Sequence, residues 1–274
     1  MIEISKRQRI HGVDFSGAAD AGKSIWIASG QIADGVLRIE ECRRGDTLPD
    51  SGVERGTCVK ALRAFVARER QAVFGFDFPF GLPRAVVDGP CWDDVAHGFI
   101  ARHPNPDAFR VACLQAAQGK ERRRVTDIES RTPFSPYNLR VFRQTYVGVV
   151  DLLLPLVRDG AASILPMQAP RTDGAWILEI CPASSLKRLG LYSPYKGREA
   201  ERRATRRRIV ESLEQTGSIW IVDERLWRIA IDDPGGDTLD SILAAFGAFR
   251  ATTHPGGLIP EGDAYVVEGY VYAE

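Results

Sequence analysis

Gly12-Val13-Asp14-Phe15-Ser16-Gly17 (residues 12–17) and Val73-Phe74-Gly75-Phe76-Asp77-Phe78-Pro79-Phe80-Gly81-Leu82-Pro83 (residues 73–83) each read as a buried apolar strand running into an aspartate. An unpaired carboxylate in a core costs several kcal/mol, so such an acid is protonated, matched to a cation or set on a metal. Outward from the first run, residues 10–43 alternate strand and turn. The further strands are Ser24-Ile25-Trp26-Ile27-Ala28-Ser29 and Val36-Leu37-Arg38-Ile39-Glu40, with Gly22, Gly30 and Gly35 in the turns. This pattern is an antiparallel meander. Residues 53–70 then predict a helix with Val59, Leu62, Ala64, Phe65 and Val66 inward, leading into the Asp77 strand. Strand, helix, strand permits a parallel return beside the first strand, which would bring Asp14 and Asp77 to neighbouring strand ends.

The remainder is read as one domain over residues 1–274 with an irregular helical insertion at about residues 84–174, marked by Trp92, His103-Pro104-Asn105-Pro106 and Arg131-Thr132-Pro133-Phe134-Ser135-Pro136-Tyr137. After it come a strand ending at Glu179 and a charged helix over 198–216. A strand pair at 219–222 and 227–231, a helix over 238–250 and a closing strand over 265–272 that carries Glu268 complete the reading.

Lys plus Arg equals Asp plus Glu at 36 each, so any nucleic-acid contact must come from local patches. The five cysteines, Cys42, Cys58, Cys91, Cys113 and Cys181, are odd in number and lack CxxC spacing, which predicts reduced thiols. No leader-like apolar segment opens the chain, and no run approaches the ~20 apolar residues of a membrane helix; a cytoplasmic protein is expected.

Two further acids of interest follow in Gly235-Gly236-Asp237-Thr238-Leu239-Asp240-Ser241. Asp237 is a good helix N-cap, and the i, i+3 spacing lets Asp240 share its face and point at the strand ends. Ala244, Gly247 and Ala248 would let that helix approach the sheet. Glu179, just before Cys181-Pro182, either joins the site or accepts N–H groups of the next turn, and Glu268 is a weaker case. Carboxylates so gathered suit a hard ion such as Mg²⁺ or Mn²⁺.

Other patterns are less informative. Gly17-Ala18-Ala19-Asp20-Ala21-Gly22-Lys23-Ser24 matches the phosphate-loop pattern GxxxxGK[ST], but that loop needs a following helix and Ile25-Trp26-Ile27 favours a strand. His11, His97, His103 and His254 have no zinc spacing. The basic run 196–208 places Arg202, Arg203, Arg206 and Arg207 along one helix flank. That is a solvated face by default and a nucleic-acid contact if it borders the acids.

Taken together, Gly12 to Ala18, Phe76 to Pro83, Glu179-Ile180-Cys181-Pro182, Asp237 to Ser241 and Glu268-Gly269-Tyr270 resemble the domain of unknown function 429 family, described as predicted RNase H-like nucleases. The resemblance implies an α/β fold: a mixed five-stranded sheet, three antiparallel strands first and then parallel ones, flanked by helices. It implies a catalytic and metal set of Asp14, Asp77 and Asp240, with Asp237 secondary and Glu179 a less certain catalytic counterpart. The expected activity is divalent-metal-dependent phosphodiester hydrolysis, with Asp14 bridging two Mg²⁺ or Mn²⁺ ions. Related folds also serve actin- and sugar-kinase-like phosphotransfer, here with the Gly17–Ser24 turn on phosphate, or non-catalytic binding.

Overall fold

Residues 7–87, 89–254 and 257–273 are described by a computed structural model. The meander forms as expected: β1 (Arg9–Asp14), β2 (Trp26–Ala33) and β3 (Val36–Arg44) pair antiparallel. Helix α1 (Arg55–Arg68) then returns the chain to β4 (Val73–Asp77), which lies parallel to β1 with Asp14 directly opposite Asp77.

The next stretch carries α2 (Trp92–Gly98), α3 (Pro106–Ala116), α4 (Val125–Glu129), α5 (Phe142–Val147) and α6 (Leu154–Arg158), followed by β5 (Ala162–Leu165) and β6 (Ala175–Glu179). After these come α7 (Pro182–Arg188), α8 (Ala200–Gln215), β7 (Ile219–Ile221), α9 (Glu224–Asp232), α10 (Asp237–Thr253) and α11 (Tyr265–Glu268). The chain is thus an α/β fold whose mixed sheet has the order β5-β6-β4-β1-β2-β3-β7. Strands β4, β6 and β5 run parallel, and β7 runs parallel to β3.

Three expectations need correction. The sheet has seven strands rather than five, because β5 and β7 extend its two edges. Residues 227–231 are helical, not a strand: the Asp223 carboxylate accepts from Arg225 N at 2.7 Å, and Glu224 pairs with Arg228 at i, i+4. The closing strand is instead the short α11, ended by Gly269 at φ +90°, with Val271 alone bridging to Glu179.

Residues 89–174, within the stretch read as an insertion, supply part of the core. Trp92, Phe109, Tyr137 and Phe142 from this stretch pack with Val13, Phe74 and Phe76 into the core on one face of the sheet. The other face packs Ile10, Val73 and Leu178 against α7, α8 and α10. Strand side chains alternate between these faces, so Gly12 and Asp14 of β1 and Gly75 and Asp77 of β4 all turn toward α10. A Cβ on Gly12 would collide with the backbone of Ser241 and Ala245, and one on Gly75 with Ala244 O. The helix therefore lies directly on the two strands, with its first turn over their aspartate ends.

Candidate metal centre

That close approach builds the site. Asp14 and Asp77 end adjacent parallel strands, and Asp240 stands in the first turn of α10. Each offers a carboxylate oxygen, and these atoms all lie within 4.8 Å of one another. They open into a cleft of about 500 Å³ that is also lined by Phe134, Arg140, Gln144, Tyr192, Tyr195 and Lys196.

The electrostatics are unbalanced. Among the described residues, no hydrogen bond or ion pair engages the carboxylates of Asp14 or Asp77. Asp240 is served from one loop: Tyr195 donates its hydroxyl to Oδ1 at 2.6 Å, and Lys196 Nζ lies 2.7 Å from Oδ2. Burial raises the Asp14 carboxyl well above the usual range, and the neighbouring Asp240 and Asp77 raise it further, against the pull of Lys196. Burial and then Asp240 push Asp77 up to about 8. Asp240 is raised by burial and held back chiefly by Lys196. Three carboxylates this close cannot all ionise without more positive charge than one ammonium supplies.

The remaining predicted residues fall elsewhere. Asp237 occupies the first position of α10, but the helix cap is Gly236 at φ +76°; Asp233 accepts from Thr238 N at 2.9 Å and so does the capping expected of Asp237. The Asp237 carboxylate stands 3.8 Å from Lys196 and is pushed up to about 6 by burial, with Asp233 and Asp240 adding to the rise and Lys196 opposing it.

Glu179 faces the cleft floor but is held in a bidentate pair by the buried Arg124, whose Nη1 lies 2.8 Å from Oε2, and it also accepts from Phe80 N at 2.9 Å. Arg124 further binds both oxygens of Asp127. Glu268, the weaker candidate for the site, is buried outside it and accepts from Arg84 N and Val125 N at 2.7 Å each.

The basic run divides in the same way. Arg206 is 2% exposed and donates to the carbonyls of Ile231, Tyr195 and Gly197, so it is structural and faces no solvent partner. Arg203 pairs with Asp232, Arg207 stacks over Trp227, and Arg202 donates to Pro194 O. The Gly17–Ser24 turn forms a short 3₁₀ segment at Ala21–Lys23 that packs on Gly52 and Val53, and then enters β2 rather than a helix. Sequence reasoning misses Tyr195, and it reads Lys196 and Arg124 only as members of the basic runs 196–208 and 120–124, not as partners of the acids. A signal existed for Arg206, which continues the Ile209, Val210, Leu213 stripe at i, i+3, i+4, i+7 and therefore belongs on the inner face of α8.

All five cysteines are free thiols, and among the described residues no helix is long and apolar enough to cross a membrane. No curated protein and no solved structure matches the chain. A family model described as protein of unknown function (DUF429) matches residues 12–264, from within the Asp14 strand past the end of α10, and the chain belongs to that family.

Proposed function

We propose that the protein is a divalent-metal-dependent phosphodiester hydrolase acting on nucleic acid. The observation that carries the reading is the convergence of Asp14, Asp77 and Asp240, from three separate elements, on one open cleft with a deficit of positive charge. The donor set fits Mg²⁺ or Mn²⁺: three hard carboxylates with no thiol or imidazole among them, two of which have no partner within the described chain. Such an ion supplies Lewis-acid stabilisation of a phosphoryl oxygen and a water of lowered pKa.

The residues of the chain do the rest. Asp14 and Asp77 hold their positions by strand register, and Tyr195 fixes the rotamer of Asp240 through its hydroxyl. Gln144 donates to Asp77 O at 3.2 Å and ties the far wall to the strand end. On the rim, Arg140 lies over the Phe134 ring at 5.3 Å and Tyr192 is 52% exposed, which offers stacking faces and a cation to an unpaired strand. Arg202, Arg203, Arg206 and Arg207 are not among the residues that line the cleft, so in this reading the exposed Arg203 and Arg207 meet phosphate only where a substrate runs beyond it. Three antiparallel strands followed by parallel ones support the RNase H-like comparison. Phosphotransfer is the lesser reading, since no residue of the Gly17–Ser24 turn is among those that line the cleft and Gly22 of that turn packs on Gly52 and Val53.

The test is cleavage of a panel of labelled DNA, RNA and hybrid substrates with Mg²⁺ or Mn²⁺. Asp14→Asn is expected to lower metal-dependent cleavage by about a thousandfold or more without loss of fold. Undiminished cleavage by that variant rejects the assignment.

A further inference from the structure

Lys196 is set with more care than a surface lysine requires. The peptides around it are clamped from below: Arg206, buried in α8, donates to the carbonyls of Tyr195 and Gly197, and Gly197 N donates to Pro234 O at 2.8 Å. Its stem crosses Gly236 at φ +76°, where a Cβ would come within 2.9 Å of the Tyr195 ring and 3.3 Å of Lys196 Cγ. Only at a residue lacking a side chain can the lysine lie across the start of α10 in this way. The side chain itself remains 53% exposed along its length, while its ammonium reaches inward to Asp240. A fixed backbone with a half-exposed charged arm is thereby aimed at Asp240, with Asp237 3.8 Å from the same ammonium.

We propose that Lys196 is a tethered counter-cation of the carboxylate site, occupying the cation position at Asp240 in the metal-free protein and yielding it when a divalent ion binds. The inference rests on the metal reading above. Both Asp240 oxygens are engaged, Oδ1 by Tyr195 and Oδ2 by Lys196, so an ion that takes Oδ2 meets the ammonium at contact distance and repels it. The clamp of Arg206 keeps the displaced ammonium within the cleft, where the phosphate of a substrate is the anion that replaces Asp240 as its partner. Arg206 thus acts as a positioning residue for Lys196.

Calorimetric titration of Mn²⁺ into wild type, Lys196→Met and Lys196→Arg, in mildly alkaline buffer where proton competition is least, tests this. Met keeps the stem over Gly236 and removes the charge; Arg keeps the competitor. Lys196→Met is expected to bind Mn²⁺ about tenfold more tightly than wild type and Lys196→Arg to stay near wild type. With Mn²⁺ present, Lys196→Met is expected to bind a phosphorothioate dinucleotide about tenfold more weakly than wild type. Mn²⁺ affinity in Lys196→Met that is unchanged or lower overturns the counter-cation role and leaves the metal site standing. Absence of Mn²⁺ binding in both wild type and Lys196→Met overturns the metal reading and this inference with it.

Discussion

Two groups of acids, one fully buried and one half-buried around Asp240, sit side by side at the carboxyl ends of the central strands, and they are solved in opposite ways. Around Arg124, the carboxylates of Glu179 and Asp127 are met by a guanidinium, and Glu268 by two backbone N–H groups, so each charge is matched by the chain itself. Around Lys196, only Asp240 is met, by one ammonium and one hydroxyl, while Asp14 and Asp77 have no such partner among the described residues. Burial alone therefore does not tell the two groups apart; the shortfall of donors does. The first cluster binds α4 and α11 to the sheet, and the second leaves two carboxylates without a donor among the described residues, which is the ground of the proposed metal site.

The comparison can be broken at the saturated cluster first, where the effect is largest. Arg124→Met leaves Glu179 and Asp127 buried and unpaired, and is expected to lower unfolding free energy in urea by about 3–5 kcal/mol. A loss below 1 kcal/mol would mean the cluster is far wetter than its 1% exposure implies.

The opposite sign is expected at the unsaturated cluster. Asp77 has its folded pKa raised from 3.8 to about 8. Below 3.8 both folded and unfolded chains hold the proton and there is no penalty. As pH rises toward 8 the unfolded chain ionises while the fold resists, so the stability attached to this group is progressively lost. Asp77→Asn is therefore expected to stabilise the metal-free protein at neutral pH, on the order of 1–2 kcal/mol, and to leave it unchanged near pH 3 to 4. Thermal melts across pH without divalent ions decide this; a destabilised variant at neutral pH would show that the Asp77 carboxylate is already satisfied.

The same contrast explains what could be read from the chain beforehand. Asp14, Asp77 and Asp240 were legible because local pattern placed them: two apolar runs ending in aspartate, and a Gly-Gly-Asp start three residues before Asp240. The close seat of α10 was only half legible, since the small residues of the helix were noted but Gly12 and Gly75, which admit it from the sheet side, were not. The partners of the other acids lie far away in sequence. Arg124 is 55 residues from Glu179 and sits in a basic run that looks solvated, so only the folded chain reveals the pair. Trp227-Arg228-Ile229-Ala230-Ile231 alternates like a strand, yet the Asp223 cap and the Glu224–Arg228 pair make it a helix that buries only Ala230 and Ile231. Short apolar runs of this kind are ambiguous until capping is counted.

The central claim is that the unmatched acids, and not the matched ones, hold a divalent ion. It is tested most directly by titrating Mn²⁺ into wild type, Asp14→Asn and Glu268→Gln by calorimetry. The account predicts binding in wild type and Glu268→Gln and its loss in Asp14→Asn; binding that survives Asp14→Asn but disappears in Glu268→Gln would contradict it.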